Sequence, residues 1–200
     1  MSNPSDIATP QRRSSAREQL LEAASRIFYE EGINSVSVDR IIDAANGTRS
    51  TFYRYFPSKE DLVAAYLTTR DMQIRAACEL AADHEPDPAN LLRLVMGAIG
   101  DDLCSPGFRG CPFINAAAEF PDRTSIIHRT AAVHRSWFRE LILDLITRAG
   151  ASDPKKAARA LIMLRDGAMI GGYLEDAKAT RATLAEAVDS VLTAQTATDS

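Results

Sequence analysis

Apolar residues recur along this chain at helical spacing from end to end, and alternating strand-like runs are nearly absent. The clearest stripe is Val38, Ile41, Ile42 and Ala45, at i, i+3, i+4 and i+7, one face of a helix. Ser37 caps that helix, and Asp39 in its first turn suits the positive end of the dipole. Asn46-Gly47 follows, two residues that tolerate positive φ and let the chain reverse. Thr48 is placed to cap a second helix, Arg49 to Phe56, which Pro57 ends. On this helix Phe52, Tyr55 and Phe56 gather on one side. Ser50, Tyr53 and Arg54 point the other way, with Arg49 and Thr51 on the flanks.

The flanking pattern predicts more helices and nothing else. Ser15-x-x-Glu18 is a capping box that opens a helix with Leu20, Ala24, Ile27 and Phe28 inward, and Gly32 closes it. Ser58-x-x-Asp61 starts a fourth helix that runs to about His84, where Glu85-Pro86-Asp87-Pro88 stops it. Ala89 to Cys104 follows with Leu91, Leu92, Val95 and Ile99 inward. After the breaker-rich loop 105–110, Pro112 sits at the first turn of a short Ala-rich helix that Pro121 stops. Three more are predicted: Ser125 to Arg148, Pro154 to about Tyr173, and Thr180 to Thr193. The fold class is all-α. Residues 1–14, rich in Ser, Pro and charge, read as a disordered arm, and the tail after Gln195 reads as frayed.

The outer side of the Arg49–Phe56 helix carries guanidinium groups for guanine edges or phosphates, hydroxyls for phosphate oxygens, and no carboxylate. A short helix that buries an aromatic edge and offers such a face is the second member of a helix-turn-helix, the one presented to the major groove. Three segments, LLEAASRIFYEEG, SVDRIIDAA and TRSTFYRYFPSKEDL, resemble the DNA-binding domain of the tetracycline-repressor (TetR) family over about Leu20 to Leu67. Asn46-Gly47 replaces the Gly-aliphatic turn usual in that family.

The resemblance implies a homodimeric transcriptional regulator, usually a repressor, that binds a palindromic double-stranded operator and is released by a small-molecule effector. It implies a disordered arm over 1–14, a DNA-binding domain over 15–57, and a helical regulatory and dimerisation domain over 58–196. The last two helices, about 154–193, would form the dimer interface, where Ala and Gly permit close packing. The fourth helix would carry the signal between the two parts. Candidate DNA contacts are Arg49 and Arg54 for bases, Tyr53, Tyr55 and Lys59 for phosphates, and Ser50 and Thr51 for either, with Ser37 and Thr48 at the helix starts. The Arg12-Arg13 pair reaches phosphates or the minor groove, or merely solubilises the arm.

The net charge of −4 changes this picture little, because screening confines charge effects to about 8 Å at physiological salt. Arg17, Arg49, Arg54 and Lys59 gather with the arm around the recognition helix, while Glu18, Glu22, Glu30 and Glu31 sit on the first helix. Overall acidity argues against a nonspecific polyanion binder. No stretch approaches the length of a membrane span, no apolar secretory segment is present, and the three cysteines are an odd number, so a cytoplasmic protein with reduced thiols is expected.

The second half reads as a chamber for a ligand, with Phe108, Cys111, Phe113, Asn115, His134, Trp137 and Tyr173 as candidate walls and polar handles. Cys111, at a helix start beside a Gly-rich loop and seven residues after Cys104, suggests a thiol-based redox or electrophile switch. The alternative is a small apolar residue packed under the loop. His128 and His134 are about 240° apart on a helix and no metal-ligand spacing appears, so neither metal nor cofactor is expected. No nucleophile with an orienting base is legible, so the chain is not read as an enzyme. A helical adaptor that does not bind DNA is the reading from another class.

Overall fold

The computed structural model describes residues 15–196, and among them it contains nine helices and no strand. The arm with Arg12 and Arg13 lies outside the described residues. Helices α1 (Ala16–Glu31), α2 (Val38–Ala44) and α3 (Arg49–Tyr55) form a headpiece from which α4 (Lys59–His84) departs. Helices α5 (Pro88–Leu103), α6 (Pro112–Glu119), α7 (Ile126–Arg148), α8 (Pro154–Leu174) and α9 (Ala177–Thr196) form the body with α4. Helix α7 packs on α4, α5, α6 and α8, and α9 lies against α5 and α8.

The helix starts follow from local chemistry. Ser15 Oγ accepts from the Glu18 N–H at 3.2 Å while Glu18 Oε2 accepts from the Ser15 N–H at 2.7 Å. Ser37, Thr48 and Ser58 cap α2, α3 and α4 through their side-chain oxygens alone, and each such cap contributes about 1 kcal/mol. The reversal between α2 and α3 falls on Asn46, at φ +49°, whereas Gly47 stays out of the left-handed region. Helix α9 starts at Ala177 rather than Thr180, because Asp176 Oδ1 accepts from the Lys178 and Ala179 N–H groups. Helix α3 closes on Tyr55, with Phe56 as its C-cap.

Phe52 and Phe56 are buried with Leu20, Ile27, Ile41 and Leu62, which fixes α3 by its aromatic edge and leaves the opposite edge free. Burying a side chain of that size contributes about 1.5–3 kcal/mol. In the body, Gly171 and Gly172 sit at close helix contacts within the subunit. A Cβ on Gly172 would lie 2.9 Å from the Leu103 side chain, and one on Gly171 3.1 Å from Thr180. They bring α8 against α5 and α9. What α8 turns outward is an apolar stripe of Met163, Gly167, Ile170 and Leu174, with Met163 73% and Leu174 69% exposed.

Candidate nucleic-acid interface and effector cleft

Ser50, Tyr53 and Arg54 stand exposed on the outer edge of α3, with Thr51 half-buried beside them. The Arg54 guanidinium lies 4.7 Å over the Tyr55 ring and donates to Tyr55 Oη at 3.1 Å, so the half-buried tyrosine is a shelf that directs the arginine. Arg49 Nη2 donates to both Asp39 oxygens, at 2.7 and 2.6 Å, and this bond raises the guanidinium above its usual pKa. A carboxylate therefore does stand beside the cationic face, supplied by α2. Ser37 Oγ and Thr48 Oγ1 are engaged as caps, and Thr48 also donates to Thr51 Oγ1 at 2.9 Å. Lys59 is half-buried at the start of α4, and burial pushes its ammonium below the usual value. Arg17, 5.3 Å over the Phe56 ring, adds a cation at the edge of this face.

A cleft of about 1010 Å³ opens between the headpiece and the body, with walls from α1, α4, α5, α6, α7 and α8. Phe108, Cys111, Phe113 and His134 lie on its wall. Asn115, Trp137 and Tyr173 do not. His134 and Phe138, four residues apart on α7, take the cleft side and turn Trp137 under the Arg75 guanidinium, 4.4 Å from its ring. Asn115 Nδ2 donates to the Arg109 carbonyl at 2.8 Å, and Tyr173 is exposed near the end of α8. Cys111 is buried at the N-cap of α6, Cys104 is on the surface, and Cys78 is half-buried on the cleft wall, where burial pushes its thiol up.

Two polar side chains are buried in this wall, Arg165, which was not among the expected cleft residues, and His134, which was. Arg165 of α8 is only 7% exposed, and His134 Nδ1 meets Asp71 Oδ1 of α4 at 2.7 Å. The imidazole stacks on Phe113 with ring centres 3.6 Å apart. Burial lowers its pKa against the pull of Asp71, which makes the ring a neutral donor to that carboxylate.

The cleft wall is also tied to the headpiece at both ends of α6. Before it, Tyr29 Oη of α1 accepts from the Arg109 N–H at 2.9 Å and donates to the Gly110 carbonyl at 3.1 Å. Arg109 Nη1 donates to the Glu30 carbonyl at 2.6 Å. After it, the Glu119 carboxylate accepts from the Ile33 N–H at 3.0 Å and the Asn34 N–H at 2.6 Å, in the turn that leads into α2. Helix α6 thus joins α4 as a connection between cleft and headpiece. No local pattern could have announced bonds between residues 80 or more positions apart.

A helix-turn-helix with an exposed cationic edge, mounted on a helical body, defines a class of DNA-binding architecture. Residues 20–66 match the family described as bacterial regulatory proteins, tetR family. Over 174 residues the chain is 30% identical to the transcriptional regulator AcuR of Cereibacter sphaeroides, covering 80% of this chain and 77% of that protein. Its fold is similar to the crystal structure of SCO4454, a TetR-family transcriptional regulator from Streptomyces coelicolor. That match has TM-score 0.87 and 44% identity, over 90% of this chain and 95% of that one. The match to the HTH-type transcriptional regulator TtgR of Pseudomonas putida, 30% over 99 residues, spans 48% of this chain and 46% of that protein. The chain belongs to the TetR family, and it is a DNA-binding transcriptional regulator rather than an enzyme. Among the described residues, no helix is long and apolar enough to cross a membrane.

Proposed function

We propose that this regulator is a homodimeric repressor whose headpiece, residues 15–57, reads half of a palindromic operator. Residues 58–196 pair the subunits and bind a small-molecule effector that releases the DNA, and the protein works in the cytoplasm, where the operator is. The observation that carries the reading is the pairing of two bare surfaces on one subunit: the Ser50–Tyr53–Arg54 edge of α3 and the Met163–Ile170–Leu174 stripe of α8. A single α3 spans one half-site, and two must stand about 34 Å apart to enter successive major grooves. The α8 stripe, continued by α9 over about 154–193, is the surface that sets this spacing.

In this reading Arg54 and Ser50 meet base edges. Arg49 joins them when it exchanges Asp39 for DNA, and Tyr53, Tyr55, Thr51 and Lys59 meet phosphates, with the Ser37 and Thr48 ends of α2 and α3 against the backbone. Release requires an effector that binds one headpiece orientation better than the other. Helix α6 supplies the route, since it lines the cleft with Cys111 and Phe113 beside its start and holds the headpiece at both ends.

The test uses duplexes selected from a random pool by the purified protein, with affinity measured by fluorescence anisotropy over a salt series. A palindromic consensus bound by a dimer, with affinity falling steeply as salt rises, is expected. Ile170→Glu should yield a folded monomer in sedimentation that no longer binds the full site. Salt-independent capture or the absence of any selected consensus would leave only the adaptor reading. A wild-type monomer would remove the dimer.

A further inference from the structure

Arg165 is the one described residue with a buried side-chain nitrogen that has no hydrogen-bond partner, its Nε. Its Nη1 donates to Asp166 Oδ1 at 3.1 Å, and its Nη2 has only the Cys111 sulfur at 3.2 Å, a weak acceptor. Asp166 does not balance this charge alone. Arg135 Nη1 donates to the same Oδ1 at 2.6 Å, and Arg135 Nη2 takes the other oxygen. Burial raises the Asp166 carboxyl, yet the two guanidinium groups outweigh that and hold it below the usual range. Two guanidinium ions thus share one carboxylate, and the inner one faces a cleft. The neighbouring acid, Asp71, is taken by Arg75 and His134.

A buried guanidinium carries its charge at physiological pH and is costly without a counter-charge. On the Nε–Nη2 side, where Nε is unpartnered and Nη2 meets only sulfur, two parallel N–H groups form the fork that matches a carboxylate. Around it, Phe113, Phe138 and Met169 make the wall apolar. The other charged residues of the lining, Glu18, Glu22, Glu30, Asp102, Arg26 and Arg70, are all exposed and open to screening.

We propose that the cleft takes a small organic anion, a monocarboxylate with an apolar body, and that Arg165 holds its charge through the Nε–Nη2 edge. This rests on the reading of the cleft as the effector site. The bound carboxylate takes both donors and displaces the contact to the Cys111 sulfur at the start of α6, so ligand entry acts on the wall that is tied to the headpiece.

The experiment is titration calorimetry of the full-length protein with octanoate, 1-octanol and octylamine at about pH 7.5, where the carboxylic acid is ionised. Octanoate is expected to bind about tenfold or more tighter than 1-octanol, with octylamine weakest. Arg165→Gln should bring octanoate down to the level of 1-octanol while leaving 1-octanol unchanged, and Arg165→Lys should keep part of the preference. The wild-type comparison stands even where a variant fails to fold. Equal binding of octanoate and 1-octanol overturns the assignment of an anion while leaving the cleft a binding site. A preference for octanoate that emerges only in Cys111→Ala gives the counter-charge to the Cys111 thiolate, and also overturns it. Failure of octanoate to bind overturns it too; whether the cleft is an effector site at all is read separately, from operator release by uncharged compounds.

Discussion

The headpiece and the body distribute their polar groups in opposite ways. In the headpiece the interior is wholly apolar, from Leu20 to Phe56, and Arg49, Ser50, Tyr53 and Arg54 stand outside it. In the body, Arg165 and His134 lie inside, against a cleft, with Asp71 and Asp166 as partners. An outward polar edge suits a partner too large to be enclosed, such as a duplex. An inward one suits a partner small enough to leave solvent entirely. The two regions therefore differ in what a mutation should cost.

The largest contrast is between two phenylalanines. Phe52→Ala should destabilise the protein by about 3–5 kcal/mol in thermal or denaturant unfolding, because the fully buried ring is close-packed on all sides. Phe113→Ala should cost less, since one side of that ring already borders the cleft. Equal losses would mean that the cleft is closed and packed in solution. Next, Arg54→Ala should weaken operator binding by about 1–3 kcal/mol with no change in melting temperature, as read by anisotropy and calorimetry. Gly172→Ala should do the reverse. It should destabilise by about 1–3 kcal/mol as Leu103 is forced aside, with operator affinity retained wherever the protein remains folded.

The smallest effect separates the regions by pH. Burial keeps the folded His134 below the ordinary histidine value, so its contribution is fully present above about pH 6.5 and is lost as pH falls through the lower, folded value. Stability measured downward from neutral pH should decline more steeply in the wild type than in His134→Gln. The same slope in both would place the titrating group elsewhere.

The helices of both regions were legible because their ends are marked locally. Ser15, Ser37, Thr48, Ser58 and Pro154 each sit where the structure starts a helix. The exposed edge of α3 could be read for the same reason, since the aromatic spacing fixes which side is buried. The cleft was less legible. Asn115, Trp137 and Tyr173 were expected on its wall, but Asn115 bonds to the Arg109 carbonyl, Trp137 lies under Arg75 and Tyr173 is exposed. Arg165 did leave a trace: it occupies the place of an apolar residue in the series Leu161, Ile162, Ala168, Met169, and Asp71 likewise follows Leu67 by one turn. What each polar intruder pairs with depends on residues far off in the chain, and spacing carries no information about that.

Helix α6 is about 12 Å long and pinned at each extremity to a different part of the headpiece. Two anchorages on one short strut behave unlike a single hinge. Jostling at either anchorage alone is resisted by the other, whereas a rigid slide of the whole strut reorients what it holds. In the proposed release, such a coupling would answer to a concerted displacement imposed by an occupant of the cavity and not to random local agitation.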